Sequence, residues 1–446
     1  MNFEIDKQTF DDLNIFSDAG SNNKSIFSLF NFTVTLGGEE KLRAIFNKPL
    51  SEASAVKNRI EVIRYFQIYP YHLSIDKRTC DFIEFYLEQS SHRSYSRLGA
   101  VIAKFTGSHR QKHDYYVAQQ GVSDIIRLIT VLDEFAQKDV TTDLPSILKE
   151  TCARVRSVLQ GADFQCALKL SRKSKLNAGE IASANQMFKS AGCDRVKLLL
   201  DIVYELDVYI TVSKRGIELG YCLPQMVEAD GQNVVAEGLF HPFIEDPVPN
   251  DIRIDHSRNI AFITGANMAG KSALLKAVGI SVYLSQLGFP VPAKKFKTTM
   301  FKGLLTTINL SDNILKNQSH FYSEVMRVKY VAEKMAQSGS LFVIFDELFR
   351  GTNVKDAYDA SLAIITAFAT VKTSLFVIST HIVEVANDLA ANGGIDFKFM
   401  ETVFKGNEPE YSYKLKDGIT EERLGMWIVN SENIIEIIRK IGQEPA

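Results

Sequence analysis

One stretch of this sequence combines the residue types that bind a chain of phosphates. Residues 265–272 have the spacing G-x-x-x-x-G-K-S and follow an apolar run of strand character. Gly265 and Gly270 allow backbone N–H groups to curl around an anion, and the positive N-terminus of the following helix faces the same ligand. Lys271 is expected to reach the β- and γ-phosphates, and Ser272 to ligate Mg²⁺. The stretch predicts a nucleoside triphosphate site.

Two further apolar runs end in residues that would complete hydrolysis at such a site. Residues 341–345 precede Asp346 and Glu347, and Asp346 at the end of a buried strand is predicted to hold Mg²⁺. Glu347 is predicted to polarise the water that attacks the γ-phosphorus. Residues 375–378 lead to His381, which is expected to sense the γ-phosphate or adjust that water. A purely structural histidine is the alternative for His381.

The composition fits a folded protein of several domains without a charge bias toward a polyanion. The chain has 446 residues, 46% of them hydrophobic, and a formal net charge of −2, so nucleic-acid binding would need a local basic surface. No apolar run approaches the length of a membrane span, and the acidic N-terminus does not resemble a secretion signal. Five cysteines without a C-x-x-C pair fit thiols in a reducing cytosol. These features predict a cytoplasmic protein without membrane association.

Hydrophobic periodicity divides the sequence into two regions. Up to about residue 225, apolar residues recur at helical spacing with few internal glycines or prolines, which predicts long amphipathic helices. Beyond it, short β-rich runs alternate with helical patterns, as is typical of an α/β nucleotide-binding domain. These runs lie at residues 233–237, 260–263, 341–345 and 375–378. We therefore predict a helical domain at residues 1–225 and an α/β P-loop domain at residues 226–446.

The phosphate loop and the acidic run resemble one family in detail. Asn267 and Met268 complete the form T-G-x-N-M-x-G-K-S, and residues 346–352 match D-E-x-x-R-G-T. Both forms are similar to those of the MutS family of DNA mismatch-repair ATPases, which belong to the ABC-type class. Residues 318–324 resemble its signature loop, Q-S-x-F-x-x-E, and residues 29–59 resemble the opening of its helical core. The resemblance covers nearly the whole chain.

The resemblance implies an α-helical lever or core domain followed by an α/β ABC-type ATPase domain that binds ATP and Mg²⁺. Ser319 of the signature loop would contact the nucleotide bound by an opposing MutS-like subunit, so a dimer is implied, and we expect a homodimer. The catalytic residues would be Glu347 and His381, and the metal ligands Ser272 and Asp346. The nucleotide-binding residues would be Gly265, Ala266, Asn267, Met268, Ala269, Gly270, Lys271, Ser272 and Ser319.

Departures from the family pattern carry their own expectations. The match begins almost at Met1, so we expect a short form that lacks the mismatch-recognition and connector domains and the DNA clamp. Ala266 replaces a common proline, and Ala269 replaces a common glycine at which a methyl group would hinder the backbone's approach to phosphate. Pro247 stands where an aromatic residue commonly stacks on adenine, which predicts weaker base binding. Little of the C-terminal dimerisation segment follows Trp427, so pairing through the ATPase faces is expected.

Two basic clusters are candidates for contacts with DNA phosphates. The first comprises Lys169, Arg172, Lys173 and Lys175, and the second Arg93, Arg97, Lys104, Arg110 and Lys112. Such contacts would be salt-sensitive and blind to sequence, and solvated loops between helices are the alternative. The resemblance implies an ATP-dependent DNA-binding protein that acts in repair or recombination without reading mismatches directly. The rival interpretation is a nucleotide-gated protein-interaction scaffold that no longer binds DNA.

Overall fold

The computed structural model forms two compact units. The helical unit contains Phe27–Lys48 and Ser54–Leu219, and the α/β unit contains Met1–Ile26, Pro49–Ala53 and Gly220–Ala446. The structure describes residues 3–16, 24–89, 109–137, 143–228, 230–308, 320–380, 382–390, 393–405, 408–420 and 431–441. Among the helices in these ranges, none is long and apolar enough to cross a membrane.

The described part of the helical unit is built from long helices. Their bounds are α2 (Ile26–Phe30, which begins one residue before the unit), α3 (Leu36–Asn47), α4 (Ala53–Ile68), α5 (Lys77–Glu88), α6 (His109–Gln137), α7 (Ser146–Leu159), α8 (Ala162–Ser171), α9 (Ala178–Phe188) and α10 (Cys193–Glu218). At the starts of α3, α5 and α9, the side chains of Thr35, Asp76 and Asn177 accept from backbone N–H groups that have no partner within the helix. Asn177 and Glu180 do so reciprocally as a capping box at the start of α9.

A buried carboxylate fixes the start of α3 within this unit. Asp207, in the middle of α10, is 4% exposed. It accepts hydrogen bonds from the backbone N–H groups of Val34 and Thr35 at 3.1 and 2.8 Å and from the Thr35 hydroxyl at 2.7 Å. The Thr35 hydroxyl in turn caps Gly38 N at 3.0 Å. Because a buried charge is tolerated only when it is hydrogen-bonded, Asp207 specifies where α3 begins.

The α/β unit contains ten strands and six helices in its described residues. The strands are β1 (Gln225–Met226), β2 (Asn233–Leu239), β3 (Asn250–Asp255), β4 (Ile260–Thr264), β5 (Lys295–Thr298), β6 (Gly303–Thr307), β7 (Leu341–Phe345), β8 (Leu375–Ser379), β9 (Ile395–Lys405) and β10 (Glu408–Asp417). The helices are α1 (Lys7–Asp12), α11 (Lys271–Leu287), α12 (His320–Ser338), α13 (Val354–Ala369), α14 (Val383–Leu389) and α15 (Ile434–Ile441).

Two sheets organise these strands. The larger has the order β10-β9-β4-β8-β7-β6, in which every neighbouring pair is parallel except β9 and β10. The smaller has the order β1-β5-β2-β3. Strands β4, β6, β7 and β8 are buried along their whole length, as expected for parallel strands covered on both faces. The carboxyl ends of β4, β7 and β8 therefore share one edge, where open α/β sheets bind ligands.

Helix α13 is fixed on this sheet by aromatic stacking. The ring of Phe368 lies 5.9 Å from that of Phe345 on β7 and 4.7 Å from that of Phe376 on β8, with interplanar angles of 11° and 18°. Offset stacking of this kind adds to the apolar area that the helix buries. The segment between β7 and α13, which carries the two predicted acids, is thus held at both ends.

The predicted combination of helices with a mixed α/β fold is confirmed. The assignment of the N-terminus differs from the predicted helical domain at residues 1–225. In the structure, the first 26 residues belong to the α/β unit. Glu4 forms a parallel bridge with Gly303 beside β6, and α1 packs on the same strand. These pairings join residues almost 300 positions apart, which helical periodicity along the chain does not reveal.

Candidate nucleotide site

The predicted phosphate loop joins the carboxyl end of β4 to the first residue of α11. Three of its residues have positive φ: Gly265 at 136°, Met268 at 68° and Gly270 at 97°. A Cβ atom at Gly265 would lie 3.1 Å from the carbonyl oxygen of Met400, so both conformation and space favour glycine there. The backbone N–H of Ala269 donates to the carbonyl of Ala266 at 3.3 Å. The sequence thus folds locally into a tight turn that opens directly into a helix N-terminus.

Exposure separates the loop side chains into two groups. Asn267, Met268 and Ser272 are exposed, whereas Ala269 is fully buried. Because the Ala269 methyl group is packed inside the protein, it does not line the exposed concavity of the loop. The exposed hydroxyl of Ser272, in the first turn of α11, is accessible to a metal ion.

Lys271 is the buried cation of the loop. Its side chain is 5% exposed, and its ammonium donates to the carbonyl oxygens of Gly265 at 2.7 Å and Ala266 at 3.0 Å. Burial lowers the pKa of Lys271, while the negative charges of Glu347 and Asp346 oppose that shift. Lys271 and the two acids therefore lie at the same edge of the larger sheet, although 75 positions separate the lysine from Asp346 in the chain.

The two acids follow β7 in a strained, hydrogen-bonded turn. The N–H of Asp346 donates to the carbonyl of Thr307 at 2.9 Å, and Glu347 has a φ of 55°. The Ser379 hydroxyl, at the end of β8, donates to the Asp346 carboxylate and accepts from the N–H of Glu347 at 3.1 Å. Left-handed backbone at a residue other than glycine costs free energy and is concentrated at functional sites. Ser379 thus orients both acids, a role that sequence reasoning missed.

A cavity of about 420 Å³ adjoins the phosphate loop. Its walls include Gly270 together with His241, Pro247 and Tyr413. The Tyr413 ring comes within 3.2 Å of the position that a Cβ on Gly270 would occupy. Asn250 holds this part of β10: its amide donates to the carbonyl of Tyr413 at 2.9 Å, and its side-chain oxygen accepts from Leu415 N at 2.7 Å. An aromatic face therefore borders the cavity that contains Pro247.

Comparison with known proteins matches this part of the chain to one family. Residues 261–444 match the family model for MutS domain V, and this range contains the phosphate loop, both acids and Tyr413. Residues 261–444 of this chain therefore belong to the MutS family as its domain V.

Curated MutS-family relatives match about half of the chain. It is 29% identical over 245 residues to the DNA mismatch repair protein MSH3 of Candida glabrata, with 52% of this chain and 24% of that protein covered. It is 28% identical over 256 residues to the DNA mismatch repair protein MutS of Natronomonas pharaonis, with 56% and 29% covered. For MutS of Desulfovibrio desulfuricans the values are 33% over 178 residues, with 39% and 19% covered. The chain spans less than a third of the length of these relatives.

Within this MutS domain V, the structure brings together most of the predicted site residues. The phosphate loop, Lys271 and the two acids lie at the same sheet edge. Ser319 and His381 lie outside the described residues. The donor set fits the predicted cofactor: Ser272 and Asp346 offer two oxygen ligands, and Mg²⁺ at a nucleotide takes its remaining ligands from phosphate and water.

The signature motif contributes a buried acid that tethers the acidic turn. Glu324, on α12, is 5% exposed and accepts hydrogen bonds from the N–H groups of Arg350 at 3.3 Å and Gly351 at 3.2 Å. His320 lies 3.2 Å from the same carboxylate. The last position of Q-S-x-F-x-x-E thus holds the end of D-E-x-x-R-G-T, a link between two motifs that only the fold displays.

His241, in the wall of this cavity, makes the stability of the folded chain depend on pH. Burial, with the nearby charge of Lys276, lowers its pKa from 6.5 to about 4, and its Nδ1 accepts from Phe243 N at 3.3 Å. Between these two pKa values the unfolded chain binds more protons than the folded one, so stability falls as the pH drops from about 6.5 toward 4. We expect His241→Asn, which keeps an acceptor without the titration, to lose less melting temperature between pH 7.5 and pH 5 than the parent.

Thermal melts at the two pH values check this expectation. A His241→Asn variant with the parental loss of melting temperature would contradict the assignment.

Proposed function

We propose that this chain hydrolyses ATP with Mg²⁺ at the edge where β4, β7 and β8 end. The observation that carries the proposal is the placement of the phosphate loop after β4 and of Asp346 and Glu347 after β7, at the carboxyl ends of parallel strands separated by β8 alone. A buried ammonium beside two carboxylates suits a ligand that brings both phosphate and a divalent cation, because the ligand's own charges then satisfy all three groups. MutS domain V at residues 261–444 supports the same reaction.

The proposed roles follow from position. The loop N–H groups and Lys271 bind the phosphates, Ser272 and Asp346 hold Mg²⁺, and Glu347 orients the attacking water. The metal, when bound, neutralises charge on the phosphates and leaving group. By family resemblance, His381 reports on the γ-phosphate.

The proposal includes an opposing subunit that completes each site. By family resemblance Ser319 contacts the nucleotide held by a second copy of the chain, so each site takes its phosphate loop and its signature loop from different subunits. Lys271→Met and Ser319→Ala should each abolish hydrolysis as homodimers. Mixed dimers of the two variants contain one intact composite site, and an equal mixture should regain about a quarter of the parental rate by random pairing. No regain, despite confirmed exchange of subunits, would refute the composite site.

Tyr413 is proposed to replace the missing aromatic residue at position 247 as the stacking surface for the base. Stacking of a base on an aromatic ring is worth about 1–3 kcal/mol, so Tyr413→Ala should weaken ATP binding about tenfold, while Tyr413→Phe retains it. Calorimetry with ATP and with inorganic tripolyphosphate checks this, because the second ligand has no base and should bind both variants equally. Equal losses for the two ligands would show that Tyr413 acts on the phosphate loop instead.

We further propose that hydrolysis is coupled to movement of the helical unit as a lever on DNA. Among the described residues, Lys169, Arg172 and Lys175 are exposed and form no ion pair, while Lys173 pairs with Glu180 at 2.5 Å. Free basic side chains at the end of α8 suit phosphate contacts. Arg93, Arg97 and Lys104 of the second cluster, and the side chains of Arg110 and Lys112, lie outside the described residues. A homodimer would present the first cluster twice.

Steady-state ATPase with duplex, branched and single-stranded DNA across salt concentrations tests the DNA proposal. The proposal is supported if DNA stimulates the ATPase rate and the stimulation declines with salt. The stimulation should also disappear in a triple variant that combines Lys169→Glu, Arg172→Glu and Lys175→Glu. A matched control changes Lys77, Lys149 and Lys197, also exposed on this unit, to Glu. A rate that no DNA alters in the parent would instead favour the scaffold that engages a protein partner.

A further inference from the structure

The N-terminal segment, residues 3–16, is part of the α/β unit and extends its larger sheet. Its backbone pairs with the edge of the sheet: Glu4 N donates to Lys302 O at 2.7 Å, and Leu304 N donates to Glu4 O at 2.9 Å. Leu13 and Ile15 are buried, and Leu13 packs against Gly279 of α11. The segment is therefore a built-in edge of the nucleotide-binding unit.

Polar side chains of this segment form hydrogen bonds with residues at the carboxyl end of β6. Asp12, only 1% exposed, accepts from the Thr306 hydroxyl at 2.7 Å and from Ile308 N at 2.9 Å. The Thr9 hydroxyl accepts from Thr306 N at 3.0 Å. Thr307 lies between Thr306 and Ile308, and its carbonyl accepts a hydrogen bond from Asp346 N at 2.9 Å.

A second connection runs through α12. Arg327 forms an ion pair with Asp6, and its guanidinium also donates to Thr307 Oγ1 at 3.1 Å and to Thr306 O at 2.6 Å. Burial opposes the charge of Asp6, but the hydrogen bond and charge of Arg327 hold its pKa below the ordinary value. Glu324, one turn earlier on α12, receives the N–H groups of Arg350 and Gly351.

These two connections end at the two ends of one loop. Residues 346–351, the acid loop, are held at their start by Thr307 and at their end by Glu324. Thr307 and α12 are in turn held by the N-terminal segment, through Asp12, Thr9 and the Asp6–Arg327 pair. Without those contacts, the strained backbone at Glu347 and Phe349, with φ of 55° and 62°, would lose part of its support.

We propose that Asp12 and Asp6 are positioning residues for hydrolysis, which act by holding the acid loop in register with the phosphate loop. Both act through their hydrogen-bond and ion-pair partners Thr306, Ile308 and Arg327. This inference rests on the proposed ATPase function. It assigns the N-terminal segment a role in turnover, because catalytic carboxylates lose efficiency when they are displaced by about one ångström.

The test compares kinetic constants in the full chain. Asp12→Ala should lower kcat about tenfold or more, because the acid loop is displaced. Its KM for ATP should stay within about threefold, since the phosphate loop is untouched. The Mg²⁺ concentration for half-maximal rate should rise, since Asp346 is displaced. Asp12→Asn retains one oxygen acceptor and should recover part of kcat, and the exposed neighbour Asp11, changed to Asn, serves as the control.

Stability is measured in parallel. Where Asp12→Ala does not fold, Asp12→Asn and Asp6→Asn carry the same test. Because a loss of folded protein also lowers the apparent kcat at constant KM, each rate is divided by the concentration of ATP-binding sites. The raised Mg²⁺ requirement then separates displacement of the acid loop from a loss of folded protein. A parental kcat in folded Asp12→Ala, or equal losses in kcat and ATP affinity, would overturn the inference. The proposed function fails separately, when the parent itself shows no Mg²⁺-dependent hydrolysis or when Glu347→Gln hydrolyses ATP at the parental rate.

Discussion

Glu347→Gln is expected to reduce ATP hydrolysis at least about a hundredfold while leaving ATP binding nearly unchanged. The substitution keeps the size of the side chain and an oxygen toward Arg350, but it removes the charge that polarises the attacking water. The left-handed turn at Glu347, fixed by Ser379, holds the carboxylate in place. The glutamine amide should therefore occupy the same position, but it is not basic enough to polarise the water.

Single-turnover hydrolysis and calorimetric ATP binding measure the two halves of this expectation. Asp359→Asn, which neutralises an exposed acid on α13, should behave like the parent in both. Hydrolysis at the parental rate by Glu347→Gln would show that another group activates the water. A loss of binding as large as the loss of rate would instead show that Glu347 holds the nucleotide.

Lys271→Met is expected to lower turnover at least about a hundredfold, with weakened ATP binding as well, because the ammonium is the buried positive charge in contact with the loop. Methionine has an unbranched side chain that can occupy the space of the lysine side chain, so the fold should persist. The loop carbonyls of Gly265 and Ala266, which accept from Lys271 at 2.7 and 3.0 Å, would lose their donor without a steric clash.

Melting temperature, ATP affinity and steady-state rate check this prediction. Lys297→Met, on the exposed side of β5, is the matched control and should leave all three at parental values. A Lys271→Met protein that hydrolyses ATP normally would contradict the assignment of residues 265–272 as the phosphate loop.

Continuous apolar runs made part of this fold predictable. Strand β7 has the same bounds as the predicted run at residues 341–345. Strands β4 and β8 each extend one residue beyond the predicted runs. A buried parallel strand leaves a strong local signal, because both of its faces are covered. The glycine-rich turn behind β4 was equally visible, since its geometry demands glycine at Gly265 and Gly270.

Elements whose pairing is long-range left no such signal. Strand β5 alternates exposed lysines with buried residues over only four positions, and its partner β2 lies about 60 residues earlier. Tyr413 reaches the cavity beside the phosphate loop because β10 shifts register between Tyr411 and Leu415. Neither fact follows from local periodicity. The weaker base binding expected from Pro247 stays a prediction, and the position of Tyr413 in the same cavity was not visible from the sequence.

Pulsed electron paramagnetic resonance of Mn²⁺ in place of Mg²⁺ tests most directly whether one site holds both metal and triphosphate. With Glu347→Gln, ATP and ¹³C-labelled aspartate, we predict that the same Mn²⁺ shows ³¹P couplings from phosphates and a ¹³C coupling from the Asp346 carboxylate, and that the ¹³C coupling disappears when Asp346→Asn is added. Mn²⁺ without phosphorus coupling, or a ¹³C coupling that is absent or that Asp346→Asn leaves unchanged, would contradict the account.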